Sequence, residues 1–403
     1  MSSRLWLYFA LFLLLVGLLT RQGVLMAVGS LVIVSGGLAR LWSRLSLERV
    51  GYERTFNETR AFVGETIEVG LHVVNRKLLP VPWVEVNDEF PQGLPLEGVL
   101  LSPALDSNFG YLTNMTSMLW YERVGWRYRL QCRARGYYQV GPAQLRSGDV
   151  FGLFTRERQD SHVDHLVVYP RVVPLDQLGL PDRRPFGEIK GGERIFEDPS
   201  RFLGLRDYRP SDPLKRIDWK ATARRQALQV RVFDPTVATH IMVLLNICTF
   251  EAPLQGYDPV LLERAITVAA SIAKYAFDER CAVGLLANAS IPESDQPLRI
   301  LPGRDPAQLT HILEALAMVM PAAELSMEKL LDREGHRLPF GSTLVVVTAL
   351  VNPPLLAALT KLREAGHAVA LLSVADEAME PKIEGITTYK VGQFISSLGR
   401  ELR

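Results

Sequence analysis

Two uncharged apolar runs at the start of the chain constrain it most. Residues Leu5 to Leu19 (LWLYFALFLLLVGLL) carry no charge. After Thr20, Arg21, Gln22 and Gly23, a second uncharged run extends from Val24 to Ala39. Each approaches the roughly 20 residues that a helix needs to cross a bilayer. No small-x-small cleavage site follows the first run, and a second apolar run comes at once, which argues against a cleaved signal peptide. The pattern predicts a transmembrane helical hairpin over residues 1–44, with helices at about 5–19 and 24–39 in the lipid bilayer. Arg4 precedes the first run, Arg40, Arg44 and Arg49 follow the second, and only Arg21 sits in the turn. The positive-inside rule then places both flanks, and the soluble remainder, in the cytoplasm. The expectation is a multi-pass membrane protein with cytoplasmic soluble domains. Cys132, Cys248 and Cys281 are far apart and odd in number, so they fit buried thiols in a reducing compartment, not a disulfide framework or zinc site.

The soluble part changes character along its length. Residues 45–180 alternate with period two: in "TIEVGLHVVN" Ile67, Val69, Leu71 and Val73 share one face. Pro80, Pro82, Pro91, Gly93, Pro95 and Gly136 punctuate the pattern, which predicts an all-β sandwich-like domain. Trp83, Trp120 and Trp126 are expected in core or edge packing. The stretch "LEGVLLSPALDSNFGYLTNMTSMLWYE" is less regular and is expected to be a long loop or hairpin. Residues 240–403 alternate short apolar strands with helices. "HIMVLLN", "CAVGLLA", "STLVVVTAL" and "HAVALLSV" are the strands, and Pro259 and the pair Asp305–Pro306 mark helix starts. Fully apolar strands of this kind form a parallel sheet covered on both faces. Neither GxxxxGK[ST] nor GxGxxG follows any strand, so no nucleotide cofactor is expected.

Between these domains, residues 181–239 hold "RDYRPSDPLKRIDWKATARRQALQVRVFD" (206–234), where basic and acidic residues interleave around one Trp. Asp207, Asp212 and Asp218 would be the acids or metal ligands of a hydrolase, but no His lies near and the neighbouring cations would neutralise them. Arg216, Lys220, Arg224, Arg225 and Arg231, with Tyr208 and Trp219 as stacking groups, would suit nucleic acid. A net charge of +1 over 403 residues speaks against that partner. The third reading is a clasp between domains, or a surface that docks a protein partner. Asp212 would cap a helix over "DPLKRIDWKATARR" with Pro213 at its first position. Leu214, Ile217 and Ala221 would share one helical face, with Trp219 at its edge. Arg206, Arg209 and Arg224 would pair with Asp207, Asp212 and Asp218, since the guanidinium fork suits carboxylates.

Three stretches carry a family resemblance: "RGYYQVGPAQLRSGDVFGLF" (135–154), "VVYPRVVPL" (167–175) and "FLGLRDYRPSDPLKRIDWKATARRQALQVRVFD" (202–234). They resemble the bacterial "domain of unknown function 58" family, and the likeness covers nearly the whole chain. It implies a C-terminal domain similar to a von Willebrand factor type A domain. It also implies a MoxR-type AAA+ ATPase and other envelope membrane proteins as partners, whose genes often accompany the family. Ser211 stands where the family usually has Gly. A type A metal site uses an Asp-x-Ser-x-Ser run after the first strand and an Asp after a later one, oxygens that suit a hard divalent cation. Here Asn246, Cys248 and Phe250 occupy the first three places, and Ala349 or Leu350 the last, so the metal site is expected to be degenerate.

The resulting expectation is a membrane-anchored, non-enzymatic scaffold or adaptor in the bacterial inner membrane, working with the ATPase on an envelope complex. A divalent-metal-dependent adhesion module and a hydrolase built on Asp207, Asp212 and Asp218 are the alternatives.

Overall fold

The computed structural model describes residues 5–104, 106, 108–181, 197–209, 217–235, 240–250, 256–291, 296–321, 325–376 and 385–395. The chain divides into two units, Met1–Tyr169 and Pro170–Arg403. The boundary falls earlier than residue 180 because the segment after Tyr169 packs into the second unit. There the Val173 N–H donates to Ser271 Oγ at 2.9 Å, and Val173, Leu175, Leu178 and Leu180 are buried.

The first unit opens with helices α1 (Leu5–Leu19) and α2 (Gly23–Ser46). Among the described residues, α2 is the one helix long and apolar enough to cross a bilayer; α1 is apolar but shorter. The expected end at Ala39 is corrected to Ser46. Gly36, Ala39, Ser43 and Ser46 form a buried stripe at helical spacing, so the helix continues onto the β-rich domain with Arg40 and Arg44 outward. Small residues let the two helices approach. A Cβ on Gly29 would lie 2.9 Å from Leu14 Cγ, and one on Gly36 would strike the Trp6 ring.

The end of α2 leaves carbonyls without helical partners. Two cations supply them. Lys77 Nζ donates to the carbonyls of Leu45, Ser46 and Glu48, and Arg158 donates to those of Leu47 and Val50. Cations at a helix C-terminus also complement its dipole. Burial meanwhile pushes the Lys77 ammonium down to about 8.

Eleven strands follow: β1 (Val50–Phe56), β2 (Arg60–Phe62), β3 (Thr66–Asn75), β4 (Val81–Pro91), β5 (Ser102–Pro103), β6 (Phe109–Met118), β7 (Arg123–Gln131), β8 (Gly136–Val140), β9 (Ala143–Gly148), β10 (Thr155–Asp160) and β11 (Asp164–Tyr169). They form sheets ordered β1-β3-β7, β10-β9-β4-β6-β5 and β2-β11-β8. Ile67, Val69, Leu71 and Val73 of β3 are buried as the alternation predicts, and they share a core with Val84, Val86, Phe90, Leu112, Leu130 and Leu145. The irregular stretch resolves into β5 and the ten-residue β6. Gly110, Leu112, Asn114 and Met118 of β6 are its buried positions. An Asn and a Gly at inward positions hid its period. Trp126 is half-buried against the core, and Trp83 Nε1 donates to the Asp149 carbonyl at 3.0 Å. Trp120, expected to pack, is 59% exposed in the β6–β7 turn.

One inward position of β4 is a carboxylate, Asp88, with no exposure. Tyr52 Oη donates to its Oδ2 at 2.6 Å, and Arg54 Nη1 sits 3.2 Å from its Oδ1. The same guanidinium reaches Asp164 at 3.1 Å and donates to the His162 carbonyl. One buried cation thus faces two carboxylates. Burial pushes the Asp88 carboxyl up to about 6, although Arg54 opposes the shift. A proton on Asp88 leaves a neutral Arg54–Asp164 pair.

The second unit begins with the antiparallel pair β12 (Glu197–Asp207) and β13 (Gln229–Pro235), with α3 (Trp219–Arg225) between them. Next come β14 (His240–Leu245), α4 (Pro259–Asp278), β15 (Ala282–Ala287), β16 (Leu298–Gly303), α5 (Gln308–Met318), α6 (Met327–Glu334), β17 (Thr343–Thr348), α7 (Pro353–Glu364), β18 (Ala368–Ser373) and β19 (Thr387–Lys390). The sheet order is β16-β15-β14-β17-β18-β19. Every neighbour pair is parallel except β15–β16, which is antiparallel. The expected parallel sheet is therefore a mixed one. The sequence conceals β16 because it is an edge strand with one buried residue, Leu298, and it carries Pro302, which an edge tolerates. Asp258 caps α4 through the N–H groups of Val260 and Leu261, with Pro259 first in the helix. Asp305 Oδ1 instead accepts from the Ala307 N–H at 2.8 Å, so α5 starts two residues after Pro306.

Because Asp88 holds its proton up to about 6 in the folded chain and only to about 3.8 in the unfolded one, it favours folding fully below that lower value. This contribution is lost as pH rises through about 6. The window corresponds to about 3 kcal/mol, at about 1.4 kcal/mol per pH unit. Asp88→Asn fixes the neutral form, so the fall in denaturation midpoint between pH 4 and pH 7 should flatten in that variant.

Candidate functional site

The charged segment singled out in the sequence folds around one buried amide. In the β12–β13 pair Leu205 faces Arg231 and Asp207 faces Gln229. Gln229 is fully buried. Its Nε2 donates to Asp207 Oδ1, its backbone N–H donates to Thr222 Oγ1 at 3.0 Å, and its Oε1 accepts from Arg225 Nη1 at 3.5 Å. Its backbone carbonyl accepts from the Asp218 N–H at 2.9 Å. The sequence reading passed over Gln229. Its neighbour Val230 is also buried, so the period-two signal that would mark an inward amide is broken there.

These contacts shorten the expected helix. Ile217 bridges to Val230, and Asp218 is extended, with φ −87° and ψ 96°. Residues paired to a strand cannot also be helical, so α3 starts at Trp219 and its cap is Asp218, not Asp212. Asp218 Oδ1 accepts from the Ala221 N–H at 3.0 Å, and its Oδ2 pairs with Arg231 Nε at 2.8 Å. The helix N–H, and after it Arg231, hold this carboxyl below the usual carboxylate range. Asp218 pairs with Arg231 and Asp207 accepts from Gln229, two contacts outside the expected pairing of Arg206, Arg209 and Arg224 with the three aspartates. Asp212, Arg216 and Ser211 lie outside the described residues. Tyr208 joins the fold through its backbone N–H, which donates to the Leu228 carbonyl at 2.9 Å. Arg206 Nη1 reaches the Asp207 carbonyl at 3.2 Å. The outer side of α3 carries Trp219, 69% exposed, with Lys220, Arg224 and Arg225 also exposed.

A second polar cluster lies where the parallel strands end. In this sheet order the chain reverses direction across the pair β14–β17, the place where such sheets bind ligands beyond their carboxyl ends. Asn246 follows β14, Asn288 follows β15 and Thr348 ends β17. Asn246 Nδ2 donates to Thr348 Oγ1 at 3.0 Å. Asn246 Oδ1 accepts from the Cys248 N–H at 3.1 Å and from Asn288 Nδ2 at 3.0 Å. Asn288 Oδ1 accepts from the Ile247 N–H at 2.9 Å, and its Nδ2 also lies 3.2 Å from the Leu325 carbonyl and 3.3 Å from Cys248 Sγ. Burial pushes the Cys248 thiol up, and Asn288 partly offsets this. Phe250 is 42% exposed, and Ala349 is buried. The amides satisfy one another and present neutral oxygens, a poor donor set for a hard cation. Asn288 also escaped the sequence reading; a polar residue directly after a wholly apolar strand was its signal.

His162, Asp164 and His165, close together in sequence, are split by the strand. His162 Nε2 is 3.3 Å from Asp164 Oδ1, whereas His165 stacks on Tyr137 with ring centroids 5.1 Å apart. Among the described residues no group of three His, Cys, Asp or Glu side chains is placed to hold a metal.

Comparison with known proteins agrees with the segment's origin. The model of the family described as "Protein of unknown function DUF58" matches residues 204–386. An uncharacterized protein of Bacillus subtilis, YeaD, is 24% identical over 290 residues; the match spans 71% of this chain and 66% of that protein. Among solved structures, a CARDB domain from Pyrococcus furiosus matches 30% of this chain and 91% of its own at 12% identity and a TM-score of 0.21. The sporulation control protein Spo0M of Bacillus subtilis matches 30% of this chain and 49% of its own at 10% identity and a TM-score of 0.18. Scores this low carry no argument about fold or function.

Two outcomes follow. Asn288→Ala strands the buried Ile247 N–H and removes one of the two donors to Asn246 Oδ1, costing about 1–3 kcal/mol for the group left unsatisfied; a lowered urea midpoint of the purified chain in detergent checks this. Millimolar Mg²⁺ should leave that midpoint unmoved, since a ligand of the folded state would raise it.

Proposed function

We propose that this chain is a membrane-anchored, non-enzymatic scaffold or adaptor whose β12–α3–β13 unit docks a protein partner. The observation that carries the reading is the division of labour within that unit. Asp207, Asp218, Gln229 and Arg231 are spent on holding the unit together, Arg225 is exposed but also donates to Gln229, and Trp219, Lys220 and Arg224 are left outward. An exposed Trp among arginines has the composition of an interface hot spot. The family resemblance supports a MoxR-type AAA+ ATPase as the partner, and a type A-like reading of the C-terminal sheet fits a binding module. In this proposal α1 and α2 form a hairpin in the bacterial inner membrane, with both soluble parts in the cytoplasm where ATP is found.

Binding of the purified full chain to a MoxR-type ATPase from the same genome tests the reading. Trp219→Ala and the double variant Arg224→Glu, Arg225→Glu should each weaken binding about tenfold or more, the scale of a hot-spot loss of about 1.4 kcal/mol. Circular dichroism checks that each variant folds. Binding unchanged in both would move the interface away from α3, and no binding by the native chain would remove the ATPase from the proposal.

A further inference from the structure

The loop between β9 and β10, "DVFGLF" from Asp149 to Phe154, turns large apolar side chains outward. Val150, Phe151 and Leu153 are 63%, 76% and 66% exposed. Their exposure is built in. Asp149, 1% exposed, accepts from the Phe151 N–H at 3.0 Å and the Phe154 N–H at 2.6 Å. Its own N–H donates to the Phe154 carbonyl at 3.2 Å, and its carbonyl accepts from the Gly152 N–H at 3.1 Å and from Trp83 Nε1. Gly152 supplies the φ of 68° that closes the turn, a conformation glycine adopts without strain. A buried carboxylate therefore freezes a short loop with its apolar side chains held in the open.

The loop's position identifies what covers it. Phe154 turns back from the loop and meets Trp6 of α1 edge to face, with ring centroids 5.7 Å apart. The same Trp6 ring lies on Gly36 of α2. The loop thus sits beside the first turn of α1, level with Gly36. From this level the outer faces of both helices continue the apolar surface through Tyr8, Phe9, Phe12 and Leu15 on α1, and Leu31, Val34 and Leu38 on α2, each 57–67% exposed. The first cations on α2, Arg40 and Arg44, lie four and eight residues beyond Gly36, about 6 and 12 Å along the helix at about 1.5 Å per residue. Lipid headgroups paired with those arginines would stand further from the bilayer centre than the loop does. Length points the same way. The 15 residues of α1 span about 22 Å, short of the ~30 Å hydrocarbon core. A short span is accommodated by local thinning of the bilayer, which brings its boundary toward the flanking structure.

We infer that Val150, Phe151 and Leu153 form a fixed wedge that inserts into the boundary of the same lipid bilayer beside α1 and α2. The inference rests on the membrane reading of those helices. Insertion needs no ordering of the loop, because Asp149 already holds it. The wedge gives the β-domain a second point of attachment, so the domain is held against the membrane instead of swinging on one helix.

The test uses the full chain in lipid nanodiscs, carrying an environment-sensitive fluorophore at Phe151→Cys or, separately, at Leu15→Cys. The parent chain labelled in the same way sets the background from Cys132, Cys248 and Cys281. Nitroxide on the lipid acyl chains and iodide in the water are the two quenchers. The expected result is that both probes shift to the blue, lose intensity to the nitroxide and resist iodide. A Leu15 probe quenched by lipid alongside a Phe151 probe quenched by iodide overturns the wedge and leaves the helices in the membrane. Both probes quenched by iodide overturns the membrane reading, and the wedge with it. A Phe151 probe shielded from both quenchers points to a protein contact and overturns lipid insertion.

Discussion

The junction at the end of α2 governs the arrangement of the first unit. Four successive carbonyls, from Leu45 to Glu48, are held by Lys77 and Arg158, which come from the β3–β4 connection and from β10. Without these donors the helix end would need water, and the chain from Ser46 to Val50 would act as a free linker. With them the helix, the strand that follows and two strands further along move together. The position of the 149–154 loop beside Trp6 depends on this, since the loop joins β9 to β10 and Arg158 lies on β10.

The two units treat polar residues in different ways. The β-domain buries charge: Arg54 and Asp88 are closed to water, with the partly exposed Asp164 on the other side of Arg54, an arrangement that is costly to desolvate and costlier to break. The α/β domain buries amides, with Asn246 and Asn288 crossing the ends of three strands and Gln229 tying β13 to α3. Amides satisfied by one another titrate nowhere in the physiological range. The Asn246–Asn288 cluster should therefore keep its contacts across conditions in which the Asp88 site changes charge.

Much of the fold was legible because hydrophobic period reports burial directly. β3 reads inward and outward by twos, and the four core strands of the α/β sheet read as unbroken apolar runs. The elements that escaped are those whose stability comes from neighbours. β6 carries Asn114 and Gly110 at inward positions, and β16 is an edge strand whose one neighbouring strand is β15. The charged segment shows the same limit at the scale of a site. Its composition announced a network, and Asp207 and Asp218, two of the acids named for it, are held in one, with Gln229 and Arg231 as partners. The helix start was misplaced because Ile217 and Asp218 are claimed by β13, a contact between residues 13 apart that local helix signals cannot foresee. Gln229 and Asn288, the hubs of the two polar clusters, are single uncharged residues with no motif to mark them.

The joint at Ser46 also has a mechanical meaning. Three residues, Leu47, Glu48 and Arg49, separate the helix from β1, and the carbonyls of Leu47 and Glu48 are among those already held. There is no slack to absorb a displacement. A partner that pulls on the β-domain would deliver its work to α2 as tilt, and through the Trp6–Gly36 contact to α1 as well. The clamped joint makes the helix and the β-domain one rigid arm, so a small rotation of the domain becomes a change of angle at α2.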